Sequence, residues 1–242
     1  MTHTKALVLD RGGTSLDHVA LGVPDTERGV EEIAKRLGYE PVLTEPEPDQ
    51  FYWSAALPLG AGRFLEILGP NPAFTKFNPF VEVVKRLDGP RPLFWYVATD
   101  DFAAFQAAAK QAGAPVERVE TVTYEKRGQV TNYTRGYLGP GFLSVSPNVI
   151  EWRSRYSGLD EGDGPQFLGL QLSHPEADRL NTAFAKLGID QLVHKGPHSM
   201  TLTLGTPNGP VEFSGEGLEF RGVGALAAMA RTYGRWLLDK VA

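Results

Sequence analysis

Three times along the chain, an alternating apolar segment runs into an amphipathic stretch that ends on glycine. The three are "LDHVALGVPDTERGVEEIAKRLGY", "PLFWYVATDDFAAFQAAAKQAGA" and "FLGLQLSHPEADRLNTAFAKLGI". A repeat of this size constrains the fold more than any single residue, because each copy is one supersecondary unit that must be buried against its neighbours. The period changes inside each copy from two, as in a strand, to the three- and four-residue spacing of a helix. Val30, Ile33, Ala34 and Leu37 form one apolar stripe, and Leu180, Phe184 and Leu187 another. Pro24 and Pro175 suit a first helical position and Asp100 a cap. Gly38, Gly113 and Gly188 suit the left-handed residue that closes a helix. Each copy is followed by three strand-like segments separated by short turns such as "GAG" and "PNG".

The expected fold is therefore α+β, built of repeated βαβββ modules: three modules over 16–70, 92–154 and 166–214, together a domain over 15–214. A Pro- and Asn-rich connector carries a short helix over 79–88. A C-terminal helix over 222–241, with Leu226, Met229, Tyr233 and Trp236 on one stripe, is expected to pack on the domain.

Composition narrows the function. The formal net charge is −5 and no basic cluster exceeds a pair such as Lys85-Arg86, which argues against nucleic acid as a partner. The chain has no cysteine, so disulfides, thiolate metal sites and a cysteine nucleophile are excluded and any metal must be held by His, Asp or Glu. No apolar run reaches membrane-spanning length, and the first residues lack a signal-peptide pattern. The expectation is a cytoplasmic protein with no membrane or nucleic-acid partner.

Strand parity sorts the side chains by face. With Val19, Leu21 and Val23 turned to the helix, His18 faces the other way. Leu65 and Ile67 likewise leave Phe64 and Glu66 on the His18 face. Pairing Ile150 with Trp152 toward the helix leaves Glu151 opposite, and Val211 with Phe213 leaves Glu212 opposite. Each module thus carries a Glu in its last strand on the open face, and a buried carboxylate needs a partner. Phe64, Phe94 and Tyr96 fall on the same open face and predict an aromatic-lined pocket. Arg127 and Arg135 flank the second module's hairpin, where one of them can meet an anionic substrate.

"LDHVALGVPD", "LPLGAGRFLEILGP", "FWYVATDDFAAF" and "GFLSVSPNVIEWR" resemble the vicinal oxygen chelate superfamily, in its glyoxalase-like branch. The resemblance spans roughly 16–214. It implies two modules curved around a metal-binding bowl, with ligands from the first and last strands of each. Carried onto this chain, the implied metal ligands are His18, Glu66 and Glu151, with Phe94 at the second His position. The implied cofactor is a divalent ion (Zn, Ni, Mn, Fe or Mg) that binds both oxygens of a small-molecule substrate, and Glu151 is the alternative catalytic base. The implied function is a metal-dependent enzyme of lyase or isomerase type. A metal-free binding or resistance-type protein, and a ring-cleaving dioxygenase, are the alternatives. The third module, odd in a family of pairs, either covers the first two or pairs with its copy in a homodimer.

Overall fold

The computed structural model describes residues 14–126, 129–138, 145–155 and 162–216. The helix expected over 222–241 and the side chain of Arg127 lie outside the described residues.

The elements run β1 (Thr14–Gly22), α1 (Thr26–Leu37), β2 (Val42–Leu43), β3 (Tyr52–Gly60), β4 (Arg63–Pro70), α2 (Pro79–Val84), β5 (Arg91–Thr99), α3 (Phe102–Gln111), β6 (Val116–Lys126), β7 (Gln129–Leu138), β8 (Asn148–Ser154), β9 (Gln166–His174), α4 (Ala177–Lys186), β10 (Val193–Lys195), β11 (Ser199–Thr206) and β12 (Gly209–Glu216). Helix α1 starts where the Asp25 carboxylate accepts the Arg28 N–H at 3.0 Å and stops at left-handed Gly38, whose N–H reaches the Ala34 carbonyl. The cap of α3 is Asp101, which accepts the Ala104 N–H at 2.9 Å, and not its neighbour Asp100. Both residues are acidic, and only backbone geometry distinguishes them. No side chain caps α4.

The first two modules form one eight-stranded sheet in the order β2-β3-β4-β1-β5-β8-β7-β6. In each, the first strand lies parallel to the last, β1 to β4 and β5 to β8. The modules meet where β1 runs antiparallel to β5. The order on one side of this seam mirrors the order on the other, so an approximate two-fold axis passes between β1 and β5.

The third segment keeps the element order of the first two but not their pairing. Its sheet is β10-β9-β11-β12, with the first strand between the second and third rather than beside the fourth. It is therefore not a third copy of the module. The sequence pattern carries the order of elements, whereas pairing depends on contacts between distant residues. This second sheet covers the helix-bearing face of the large sheet. Leu170, Leu172, Leu202 and Phe213 share one core with Val19, Leu21, Trp95 and Val97. The Trp95 ring meets Phe184 of α4 edge-on at 6.2 Å. Arg36 of α1 donates to the Glu212 carbonyl and lies over the Phe213 ring. Glu212 points away from the large sheet's open face, on the exposed side of the small one.

Candidate functional site

The open face of the large sheet curls so far that residues near both of its outer edges, Val42 on β2 and Tyr124 on β6, line one cavity of about 570 Å³. That is the size of a small-molecule site. Phe64, Phe94, Tyr96 and Arg135 line it, as do His18 and Glu66. Phe80 of α2 reaches into the same cavity, so the connector helps to line it.

At the seam between modules, His18 is held on every side. Its imidazole is stacked between Phe64 at 4.4 Å and Tyr96 at 4.3 Å, with interplanar angles near 20°. Its Nδ1 meets the Asp17 carboxylate at 2.6 Å, and its Nε2 faces Glu66 Oε2 at 3.7 Å. In a regular strand, neighbours 17 and 18 would point to opposite faces. Here β1 pairs Leu16 with Val97 and His18 with Tyr96, so Asp17 is the extra residue of a β-bulge. Such a bulge re-aims a side chain. Asp17 is only 3% exposed, yet its second oxygen accepts from Trp152 Nε1 at 2.9 Å and Arg155 Nη1 at 3.1 Å. None of these three residues stood out in the sequence. Strict alternation assigns Asp17 to the wrong face, and Arg155 lies at the end of a strand read with inverted parity.

That inversion also displaces Glu151. Ile150 and Trp152 line the cavity, with Tyr133, Arg135 and Tyr137 on the neighbouring strand. Glu151 pairs with Thr134, on the other face of β8. The sheet is buried on both sides here, with Val149 in the main core and Ile150 in the cavity-side cluster. Apolar alternation then marks two faces without saying which is which. Glu151 is therefore corrected from cavity to outer face, and with it the expected third metal ligand and alternative base.

The pseudo-two-fold axis identifies what stands in the corresponding places. The β1–β5 ladder pairs His18 with Tyr96 and Ala20 with Phe94, so exchanging the strands exchanges His18 with Phe94. Glu66 pairs with Ala20, and the counterpart of Ala20, Tyr96, pairs with Asn148. Asn148, 1% exposed, is thus the counterpart of Glu66. Module one supplies an imidazole and a carboxylate; module two supplies a phenyl ring and an amide. A catalytic metal is commonly held by three protein ligands. Among the described residues no three His, Asp or Glu side chains form a group that could hold a metal ion. The donor set does not fit a divalent ion.

The charge state of the cavity follows from burial. Burial raises the Glu66 carboxyl above its ordinary value, against the pull of His18 and Arg135. Burial also raises the phenols of Tyr52 and Tyr96, and lifts Tyr133 to about 12, so all three stay neutral donors at physiological pH. Because the folded state holds the Glu66 proton more tightly than the unfolded chain, stability falls as pH rises above the ordinary carboxylate value and toward the folded one. Glu66→Gln lacks this loss. Its Tm is expected to exceed that of the parent at pH 7 and to match it near pH 4, at ~2–4 °C for each kcal/mol relieved in a domain of this size. Thermal melts across pH check this. Equal melting at both pH values would contradict it.

The fold and cavity define a class: paired modules whose sheet encloses an aromatic-lined cavity. The glyoxalase-like domain family matches residues 16–188, and the chain belongs to that family. No curated protein matches the sequence. Among solved structures, the chain is similar to a hypothetical protein from Staphylococcus aureus, at TM-score 0.55 and 9% identity over 83% of this chain and 84% of that one. It is also similar to a mutant of 4-hydroxymandelate synthase from Streptomyces coelicolor, at TM-score 0.50 and 14% identity over 84% of this chain and 62% of that one. A variant of Streptomyces coelicolor methylmalonyl-CoA epimerase in complex with 2-nitronate-propionyl-CoA aligns at TM-score 0.45 and 19% identity, over 59% of this chain and 100% of that one. At such identities the likeness is one of fold. No described helix is long and apolar enough to cross a membrane.

Proposed function

We propose that the protein is an isomerase-type enzyme that moves a proton on the carbon next to a carbonyl, in a small molecule bearing an aromatic ring and an anionic group. The observation that carries this reading is the His18 imidazole: clamped between two rings, tied at Nδ1, with Nε2 turned to the cavity beside Glu66. Geometry comes first in judging a general base, and this one is held in a single orientation.

The chemistry balances within the chain. Nε2 of His18 takes the proton from carbon, and the C–H electron pair moves through the new C=C bond to the carbonyl oxygen. The protonated Glu66 gives that oxygen its proton, leaving an enol, an imidazolium and a carboxylate. The two charges sit on groups 3.7 Å apart in the resting geometry, and their attraction stabilises the state. Glu66 then recovers its proton from the enol oxygen, while His18 returns one to carbon, at the original or an adjacent conjugated position. Arg135 binds the anionic group. Its Nε and Nη2 are held by Glu120 at 3.1 and 3.0 Å, which orients the guanidinium and leaves Nη1 for a ligand. Phe64, Phe94 and Trp152 provide the apolar wall for the ring.

Phenylpyruvate combines a ring, a carboxylate and an acidic C–H, and serves as the probe. In D₂O the protein is expected to accelerate exchange of its C3 protons above the spontaneous rate, read by proton NMR. Arg135→Ala is expected to raise KM about tenfold or more, as loss of a charged hydrogen bond would, with a smaller effect on kcat. The binding-only reading draws on the ring of Phe94 in place of a donor. It predicts that phenylpyruvate quenches tryptophan fluorescence saturably while exchange stays at the spontaneous rate, an outcome that would overturn the enzyme reading.

A further inference from the structure

We infer that Asp17 is a positioning residue that holds His18 in its Nδ1–H tautomer, and that it is itself held from across the seam by Trp152 and Arg155 of the other module. The kinetic half of this inference rests on the reading of His18 as the base; the structural half does not.

The argument starts with the bulge. An extra residue in β1 turns a carboxylate and an imidazole to the same side, at a position where regular pairing would separate them. A buried carboxylate is costly unless its lone pairs are met. Here Oδ2 takes the His18 Nδ1–H, while Oδ1 takes the Trp152 Nε1–H and the Arg155 guanidinium. Both donors to Oδ1 come from β8 or the residue just after it, on module two, whereas Asp17 and His18 belong to module one. Arg155 also donates through Nη2 to the Gly62 carbonyl at 2.6 Å, at the turn before β4. Its guanidinium lies 5.2 Å over the ring of Phe64, itself one jaw of the His18 clamp.

The charges explain the tautomer. Arg155 supplies the counter-charge to Asp17, so the carboxylate needs from His18 only an N–H. A neutral imidazole with its proton on Nδ1 meets that need and leaves the Nε2 lone pair directed at the cavity. The opposite tautomer would set an unprotonated nitrogen against a carboxylate at 2.6 Å, with two acceptors and no proton between them. Which ring nitrogen carries the proton is set by the partner of the other one.

Side-chain ¹H–¹⁵N NMR of the full chain tests this directly, recorded where the ring nitrogen shifts no longer change with pH. The expected parent spectrum has His18 protonated at Nδ1. In Asp17→Asn the tautomer ratio is expected to shift about ten- to a hundredfold toward Nε2–H, the loss of one charge-assisted hydrogen bond. Phenylpyruvate exchange by Asp17→Asn is expected to fall in kcat by a similar factor with KM unchanged. A parent spectrum showing Nε2–H overturns the inference even if no variant folds. So does a folded Asp17→Asn with an unshifted tautomer ratio. Absence of exchange in the parent, with the Nδ1–H tautomer present, instead overturns the proposed reaction and leaves the positioning role standing.

Discussion

His18→Ala is expected to fold like the parent and to lose exchange of the phenylpyruvate C3 protons by about 10²–10⁴-fold, the range that a positioned acid–base group contributes. The loss falls in kcat. Phe64, Phe94 and Arg135, the proposed ligand contacts, are untouched, so KM is expected to move little. The substitution leaves a gap between Phe64 and Tyr96, the two rings that clamp the imidazole, and strands the Asp17 oxygen that His18 met. Asp17 keeps Trp152 and Arg155, which is why folding survives. His18→Gln can still donate to Asp17 but carries no base, and is expected to be as inactive as the alanine variant. Circular dichroism and the NMR exchange assay on both variants check this. Retained exchange in either would remove His18 from the chemistry.

Trp95→Ala has the largest expected effect on stability. Trp95 is 1% exposed on the helix-bearing face of β5, donates its indole N–H to the Val145 carbonyl at 2.8 Å and meets Phe184 edge-on. It is one of the residues through which the third segment joins the paired modules. Truncating a buried tryptophan costs about 3–5 kcal/mol, and here it also strands a buried carbonyl. At ~2–4 °C per kcal/mol, Tm is expected to fall by about 6–20 °C. Trp95→Phe keeps the ring contact and should lose less than half of that. A shift below 2 °C for the alanine variant would mean that the third segment does not depend on this contact.

How much of this was legible in the sequence differs from element to element. The three strand-to-helix transitions and the glycines that end the helices were readable, because period and left-handed closure are local, whereas the caps were not: Asp101 and not Asp100 caps α3, and Pro24 and Pro175 lie before the caps. His18, Glu66, Phe64, Phe94, Tyr96 and Arg135 all lie on the cavity. For His18 and Glu66 a polar residue alternates with bulky Val19, Leu21, Leu65 and Ile67, which marks the cavity side of β1 and β4. Glu151 was misplaced because β8 is apolar on both faces, so parity had no reference. Asp17 was invisible because a one-residue bulge leaves no mark in a pattern of alternating residues. The third segment looked like another module because pairing order is a property of distant contacts. Asn148 emerged as the counterpart of Glu66 only from the strand registers, since no spacing in the chain links residue 66 to residue 148.

The most direct test of the central claim, that His18 works as a base tied to Asp17 rather than as a metal ligand, is phenylpyruvate exchange measured before and after exhaustive treatment with EDTA. The account predicts the same rate in both states, no gain on adding Zn, Ni, Mn, Fe(II) or Mg, and loss of that rate in His18→Ala. A rate that EDTA abolishes and one of those ions restores would contradict it.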